Sequence, residues 1–147
     1  MPPEWSLRPA TDADREFLFE LHRGAYREAV DALWGWNDDE QQRRFDEGFE
    51  PECLHVIQVG AEDVGELHVE ARADGLNLAS IVLLPAWQGQ GIGSAILDGV
   101  LMRAAATGRP VTLRVLVANP RARRLYERKG FRVTRTTATH VYMRADP

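Results

Sequence analysis

The sequence has 147 residues, a formal net charge of −4 and a pI of about 5.6, which argue for one globular domain and against general nucleic-acid binding. A composition that is 44% hydrophobic and 27% charged provides enough apolar surface for a core. The sequence has neither a run of roughly 18 apolar residues nor a signal peptide, so we expect a single cytoplasmic domain over residues 1–147 that does not bind membranes.

The one cysteine, Cys53, excludes an internal disulfide bond. The sequence around it offers no cluster of His or Asp partners, so we predict that the protein binds no metal. We interpret the thiol as a loop or strand-edge residue rather than a nucleophile.

The chain begins with a predicted strand and a predicted helix. Residues 5–8 are typical of a short strand. Thr11 and Asp14 have the spacing of a capping box, and apolar residues then recur at helical spacing, which predicts a helix over about residues 12–33. Gly24 is a weak point where this helix could break, because Gly in a helix costs about 1 kcal/mol relative to Ala.

A turn with two large aromatic residues precedes a highly charged second helix. Trp34 and Trp36 lie in the turn, and Asp38 is the predicted N-cap of a helix that ends near Gly48. Residues 37–52 contain seven acidic residues and two arginines, a net charge of 2 − 7 = −5. This segment is therefore more acidic than the chain as a whole.

The middle of the chain changes to strand-like alternation. Residues 55–59, 64–71 and 76–83 predict three strands, separated by turns at residues 61–63 and 73–75. Because these connections are short, we expect an antiparallel meander.

A glycine loop connects the last of these strands to a helix. Gly89, Gly91 and Gly93 leave the backbone unshielded, and the helix behind them directs free N–H groups and the positive end of its dipole at one spot. This arrangement predicts a binding site for an anion such as phosphate. A Walker loop is excluded because no lysine precedes Ser94, and a dinucleotide fingerprint is excluded because Leu113 stands where an acidic residue is required.

The remaining elements alternate between helices and strands. The helix after the loop begins near Ile92 and ends near residue 107, and residues 111–117 predict an apolar, central strand. Asn119 and Pro120 begin a helix that runs to Lys129, and residues 132–137 and 139–144 predict two final strands. The predicted order is β-α-α-β-β-β-α-β-α-β-β.

Two motifs in this order resemble those of the GCN5-related N-acetyltransferase (GNAT) superfamily. Gln88, Gly91 and Gly93 match its Gln/Arg-x-x-Gly-x-Gly/Ala signature, and residues 119–131 match its Asn-x-x-Ala-x-x-x-Tyr-x-x-x-Gly-Phe motif at every defined position. Since the element order also agrees, the sequence is identified as a member of this superfamily. The resemblance implies the acyl-CoA N-acyltransferase fold, an α/β (α+β) fold with a mixed central sheet of about seven strands and four helices.

The resemblance implies an enzyme that transfers acetyl from acetyl-CoA to a small-molecule amine, directly and in a ternary complex. The implied cofactor-binding residues are Ile81, Val82, Leu83 and Leu84 of the strand, Gln88, Gly89, Gln90, Gly91, Ile92, Gly93 and Ser94 of the loop, and Asn119, Ala122 and Tyr126. A catalytically silent acyl-CoA sensor and a protein or peptide N-acetyltransferase stay open as alternatives. Monomer and homodimer also stay open.

The catalytic acid and base follow less directly from the resemblance. Tyr126 would lie near the sulfur, where its hydroxyl can donate a proton to the departing thiolate. Many relatives carry a Glu on the strand before the loop, but residues 76–84 contain no carboxylate. Glu66 and His68 share one face of the neighbouring strand, so we predict Glu66 as the base, with His68 second. The alternative is that this is simply the solvated face of the strand.

The acceptor site of the superfamily lies between the first two helices and the central strands. Trp34, Trp36 and the acidic second helix would then suit a small cationic amine, through cation–π contact and electrostatic steering. Aromatic residues at a helix junction also occur as core residues or lids, so that interpretation stays open.

Overall fold

The computed structural model describes residues 2–147, and this part of the chain folds into a mixed sheet with helices on both faces. The strands are β1 (Ser6–Pro9), β2 (Leu54–Val59), β3 (Glu62–Arg72), β4 (Gly75–Leu83), β5 (Val111–Leu116), β6 (Arg132–Thr136) and β7 (His140–Ala145). The helices are α1 (Arg15–Trp34), α2 (Asp38–Glu47), α3 (Ile92–Ala106) and α4 (Pro120–Arg128). The predicted fold class and the predicted order of elements are both confirmed.

The seven strands form one sheet in the order β1-β2-β3-β4-β5-β7-β6. The β2–β3–β4 segment is the expected antiparallel meander. The only parallel pair within residues 2–147 is β4 with β5. β5 therefore takes the central position that its apolar residues predicted, since β4 and β7 flank it.

The sheet opens between β4 and β5. These strands pair only from Leu76, opposite Val111, to Leu78, opposite Leu113. Both strands continue beyond this point, to Leu83 and Leu116, without pairing to each other. The register of β3 against β4 also shifts after Leu78, as in a β-bulge. The result is a wedge-shaped gap in the middle of the sheet.

The core has two parts, one on each face of the sheet. The larger part packs α3 against the central strands through Ile92, Ile96 and Leu97, which are fully or almost fully buried. The smaller part lies under α1, where Leu18 and Leu21 pack on β2 and β4. Since the two clusters hold the helices against opposite faces, the gap between β4 and β5 is reached from both sides.

The first helix forms over nearly its predicted length without a break at Gly24, and two other details of the first two helices differ from the predictions. α1 continues through Gly24, because an extended apolar contact with the sheet outweighs the local cost of one glycine. Asn37 rather than Asp38 is the N-cap of α2, and its side chain accepts a hydrogen bond of 2.9 Å from the backbone N–H of Glu40. The capping box is present, with the Asp14 carboxylate accepting from the N–H of Thr11 at 2.8 Å, but it begins a short 3-10 turn that precedes α1.

Strand boundaries differ from the predictions by one or two residues at several points. β3 begins at Glu62, so the turn before it lies at residues 60–61 rather than 61–63. β5 ends at Leu116, one residue early. No helix within residues 2–147 combines the length and the apolar character that crossing a bilayer requires.

Candidate active site

Two cavities meet at the gap between β4 and β5. The first, which we name the loop cavity, has a volume of about 470 Å³ and lies between the glycine loop, β4 and α4. The second, the helix cavity, has a volume of about 500 Å³ and lies between α1, α2 and the sheet. The residues that line both are Tyr26, Ile81, Asn119, Ala122 and Tyr126. A molecule in one cavity can therefore contact a molecule in the other.

The glycine loop presents main-chain amides to the loop cavity. Gly89 and Gly91 have φ angles of 74° and 86°, a region that glycine adopts without strain, and Gly91 is the N-cap of α3. In the described chain, no backbone N–H of residues 89–94 donates a hydrogen bond to a protein acceptor. These amides and the helix dipole together favour an anion.

Side chains of the loop hold its shape rather than fill the cavity. The Gln88 amide donates to the carbonyl of Leu83 at 2.9 Å, and the Gln90 amide donates to the carbonyl of Ala86 at 2.9 Å. Of the loop residues that the sequence nominated, Gln88, Gly89, Gly91, Ile92, Gly93 and Ser94 line the cavity. Gln90 lies outside the lining.

The part of β4 that is paired with β3 but not with β5 forms one wall of the loop cavity. Ile81, Val82 and Leu83, three of the four strand residues that the resemblance implies for cofactor binding, line it. Leu84 does not, because its side chain packs in the cluster under α1 and its N–H donates to the carbonyl of Val64 at 2.8 Å.

Two arginines add positive charge to the loop cavity. Arg121 and Arg128 line it, and neither forms an ion pair within residues 2–147. Other basic residues of the same segment are neutralised, since Arg123 pairs with Glu127 at 3.3 Å and Lys129 pairs with Asp98 at 2.8 Å.

Asn119 and Tyr126 connect α4 to both cavities. The side-chain oxygen of Asn119 accepts from the N–H of Ala122 at 3.2 Å, which caps α4 and leaves the amide NH₂ free. Tyr126 packs edge-to-face on Phe131 with ring centroids 5.7 Å apart. Burial, with a smaller contribution from Tyr26, raises the pKa of Tyr126 to about 12, so its hydroxyl stays protonated at neutral pH.

Glu66 is a buried carboxylate in the wall of the helix cavity. It is only 6% exposed, and within residues 2–147 no hydrogen bond or ion pair compensates its charge. Burial raises its pKa from 4.5 to about 7. A carboxylate with this pKa can exchange a proton at neutral pH, which ordinary surface carboxylates do not do efficiently.

His68 and Ser80 provide two further polar atoms to the helix cavity. They lie opposite each other in the β3–β4 register, and both residues line the cavity. His68 Nε2 and Ser80 Oγ are buried without a hydrogen-bond partner in the described part of the protein. Buried polar atoms are normally satisfied, so these two have capacity to bind a polar group of a ligand.

The two tryptophans of the predicted acceptor site have different positions. Trp34 is 58% exposed and borders the helix cavity. Trp36 does not line the cavity, because its ring nitrogen donates to Asp38 at 2.6 Å and its N–H donates to Asp31 at 2.9 Å. The residues of α2 that line the cavity are Gln41, Arg44 and Phe45, and none is acidic.

Several lining residues of the helix cavity were missed by the sequence-based prediction. His22, Tyr26 and Val30 repeat every four residues along α1, a pattern that could have identified one helix face. Phe45 and Phe49 show the same spacing. Two more, Arg114 and His140, come from β5 and β7, and no local pattern indicates that they meet there.

Cys53 has neighbours that the sequence did not indicate. Potential ligand atoms of Glu50, Cys53 and His68 all lie within 4.8 Å of one another, because β2 and β3 are paired next to the turn that carries the first two. Within residues 2–147 no fourth metal-binding side chain joins this group. The expectation that Cys53 lacks His or acidic partners is wrong, whereas the absence of a bound metal stays a prediction.

A glycine loop at a helix start, a splayed strand pair and a buried tyrosine between two cavities define an acyl-CoA-dependent N-acyltransferase fold. The family model described as "Acetyltransferase (GNAT) domain" matches residues 50–133, which is more than half of the chain. The chain therefore belongs to the GNAT family of acetyl-CoA-dependent N-acetyltransferases, as the two motifs indicated.

Solved structures share this fold over nearly the whole chain. An N-acetyltransferase, PaiA, from Thermoplasma acidophilum in complex with coenzyme A is similar with a TM-score of 0.78 and 16% identity, covering 98% of this chain and 99% of that chain. PH1933 from Pyrococcus horikoshii is similar with a TM-score of 0.77 and 19% identity, covering 98% of this chain and 99% of that chain. An acetyltransferase from Thermus thermophilus is similar with a TM-score of 0.76 and 20% identity, and the match covers 100% of both chains. At these identities the likeness establishes the fold.

Proposed function

We propose that this protein transfers the acetyl group of acetyl-CoA directly to an amine, with the donor in the loop cavity and the amine in the helix cavity. The observation that supports this most strongly is that the two cavities meet beside Tyr126 and Ile81. The thioester supplies an activated acetyl group. A shared boundary suits direct transfer in a ternary complex, because both reactants reach it without a covalent enzyme intermediate.

The lining of the loop cavity suits coenzyme A. The free amides of residues 89–94 and the α3 dipole would bind the pyrophosphate, and Arg121 and Arg128 would add charge for the phosphates. The Asn119 amide and the edge of β4 at Ile81, which is not paired with β5, would bind the pantetheine arm. The coenzyme A in the similar PaiA structure supports this choice of ligand.

Tyr126 is the proposed hydrogen-bond donor to the departing sulfur. With a pKa of about 12 it stays neutral, but complete transfer to a thiolate of ordinary pKa about 8.5 would be uphill by about 3.5 pK units. Tyr126 therefore stabilises the thiolate mainly by hydrogen bonding, and the proton comes ultimately from the reacting amine.

Glu66 is the proposed base, with His68 second because it lies on the same strand in the same cavity. An alkylamine with an ordinary pKa of about 10.4 enters as a cation and must lose a proton before it attacks. A carboxylate of pKa about 7 holds that proton better than an exposed Glu. Glu66 would act directly or through a water molecule.

The proposed acceptor is an amine that enters the helix cavity in its cationic form. Tyr26, Phe45, Phe49 and Trp34 provide aromatic walls that favour a cation with an apolar part. The aromatic residues and Glu66 are thus the observations that support a cationic amine as the acceptor. The acidic residues of α2 do not line the cavity and contribute only a distant field.

Initial-rate kinetics with acetyl-CoA and a panel of amines test the proposal. We expect intersecting lines in double-reciprocal plots and, for Tyr126→Phe, a loss in kcat of roughly 100-fold with unchanged affinity for acetyl-CoA in calorimetry. Parallel lines with an isolable acetyl-enzyme contradict direct transfer. Tight cofactor binding without thiol release for any amine favours a silent sensor, and peptides that outperform all small amines favour a peptide acetyltransferase.

Trp34→Ala and Trp36→Ala form a matched pair for the acceptor. Trp34 borders the helix cavity and Trp36 does not, so Trp34→Ala should raise KM for cationic amines by about 5-fold and Trp36→Ala by less. Neutral amines should be affected less than cationic ones. Equal losses for both kinds of amine argue against a cation–π contact.

A further inference from the structure

Three side chains form a row across β5, β7 and β6 beside the helix cavity. Arg114 of β5 is opposite Tyr142 of β7, and Tyr142 is opposite Arg135 of β6. Directly opposed residues share one face of a sheet, so the three side chains lie next to one another. The Arg135 guanidinium is 4.1 Å from the centroid of the Tyr142 ring. We name these residues the basic row.

The basic row begins in the wall of the helix cavity. Arg114 lines this cavity, and so does His140, which is opposite Leu116 in the same strand pair. Glu66 lines the same cavity from β3. The cavity therefore has a carboxylate in one part of its wall and two arginines in other parts. Of these, Arg44 is paired with Glu40 at 3.0 Å, and the row begins at the other, Arg114.

The positive charge of the basic row is not neutralised by the protein. Within residues 2–147 neither Arg114 nor Arg135 forms an ion pair, whereas Arg132 and Arg144 on the adjacent positions share Asp146 at 2.5 and 2.7 Å. Hydrogen bonding to Arg114, and then to Arg135, lowers the pKa of the Tyr142 hydroxyl, in keeping with the opposed positions of the three residues in the sheet. Arg114 also contributes, after burial, to the lowered pKa of His140.

An acceptor that fills the helix cavity would remove water from the Arg114 guanidinium. Losing hydration without gaining a counter-charge is unfavourable, so a purely cationic acceptor would be repelled at this wall. An acceptor with an anionic group at that position would form charge-assisted hydrogen bonds with Arg114, whereas Tyr142 lies beside Arg114 but outside the cavity lining. The wall charges thus select an acceptor with both signs of charge.

We propose that the acceptor carries an anionic group, most simply a carboxylate, in addition to its amine, and that Arg114 in the wall of the helix cavity binds this group. The inference rests on the proposed function of the helix cavity as the acceptor site. The amine faces Glu66 and the anion faces Arg114. Adjacent strands are about 4.8 Å apart, so the backbone of Arg135 lies roughly 10 Å from that of Arg114.

Matched acceptors test the proposal. We compare an amino acid with its carboxamide, and a phosphorylated amine with its parent alcohol, for the wild type and for Arg114→Gln. For the preferred anionic acceptor, Arg114→Gln should lower kcat/KM by about 10- to 100-fold, mainly through KM, and for the neutral partner by less than about 3-fold. A preference for either carboxylate or phosphate supports an anion site and identifies the group.

Arg103→Gln is the control, because Arg103 is exposed on α3 and lines neither cavity. It should leave both acceptors unaffected. Equal losses for the anionic and neutral partners in Arg114→Gln, or a wild type that prefers neutral partners, overturn the inference and leave the acetyltransferase proposal intact. Failure to acetylate any amine contradicts the proposed function itself.

Discussion

Asp14 and Glu66 are the two buried acidic residues of the described chain, and their surroundings are opposite. Asp14 accepts two hydrogen bonds from Arg8, at 2.7 and 2.9 Å, and a third from the backbone of Thr11. Glu66 has no such partner within residues 2–147 and lines a cavity. Hydrogen bonding to Arg8 lowers the pKa of Asp14, whereas burial raises that of Glu66 to about 7.

The comparison separates a carboxylate that stabilises the fold from the carboxylate that we propose as the base. The pairing of Asp14 stabilises its charged form and joins β1 to the start of α1. Leaving Glu66 unpaired destabilises its charged form, which has no benefit for folding. An uncompensated buried carboxylate beside a cavity is instead typical of a residue that exchanges a proton with a ligand.

The largest expected effect is on catalysis. Glu66→Gln removes the proton acceptor but keeps the shape, so kcat/KM for the best amine should fall by about 100-fold or more. For the wild type, kcat/KM should rise with pH and level off above about pH 7, following the pKa of Glu66. Initial-rate assays between about pH 5.5 and about pH 9 measure both the loss of kcat/KM in Glu66→Gln and the pH profile of the wild type. This range includes the pKa of Glu66, which is about 7.

His68→Gln is the matched variant for Glu66→Gln, because His68 lies on the same strand and lines the same cavity. If Glu66 is the base, His68→Gln should lose less activity and keep the pH profile. A larger loss of activity for His68→Gln would assign the role of base to the histidine. Glu66 would then differ from Asp14 in its surroundings but not in having a catalytic role.

The second effect is on the pH dependence of stability. The folded-state pKa of Glu66 is above its ordinary value of 4.5, so its contribution favours folding below about pH 4.5 and is lost as the pH rises through about 7. The loss is roughly 3 kcal/mol at most, from the difference between the two pKa values. Asp14 acts in the opposite direction, because its lowered pKa makes its contribution disappear only as the pH falls below its ordinary 3.8.

Urea denaturation at a series of pH values separates the two carboxylates. Between pH 4.5 and pH 7 the wild type should lose more stability than Glu66→Gln, which lacks the titrating group. Parallel curves for the two proteins would show that Glu66 is solvated normally. The comparison with Asp14 would then no longer hold.

The residues on the coenzyme A side were the more predictable ones, and the reason is physical. The loop that includes Gly89 and Gly91 and the cap at Asn119 act through the backbone next to them, so a short motif contains the geometry. Burial and pairing of Glu66 depend on packing with other elements. Its position on an alternating strand face was accessible from sequence, but its environment was not.

The acceptor side depends on contacts between residues that are far apart in the chain. Arg114 and His140 meet because β5 pairs with β7, and nothing near either residue signals this. Trp36 was predicted to belong to the acceptor site with Trp34 because both lie in the turn between the first two helices, where the resemblance implies that site. Its hydrogen bonds to Asp31 and Asp38 hold it outside the helix cavity, and a sequence motif does not contain that information.

The third effect is on the stability supplied by Asp14. Asp14→Asn removes the charge and one of the oxygens that bind Arg8, so the free energy of unfolding at pH 7 should fall by about 2 kcal/mol. The activity per folded molecule should not change. Asp12→Asn is the control, since Asp12 is 83% exposed in its pair with Arg15 and should cost less than about 0.5 kcal/mol.

The smallest expected effect is on the stability supplied by Asp63, the second carboxylate that pairs with Arg8. Asp63 lies 3.0 Å from Arg8 but is 34% exposed, against 11% for Asp14, so solvent screens this pair more strongly. Asp63→Asn should cost less than about 1 kcal/mol, because the amide can still accept the hydrogen bond from Gln58. The double variant Asp14→Asn with Asp63→Asn should lose more stability than the sum of the single variants, since Arg8 then keeps no counter-charge. If Asp63→Asn costs as much as Asp14→Asn, burial does not determine the strength of these pairs, and the low exposure of Glu66 would be a weaker argument for its role.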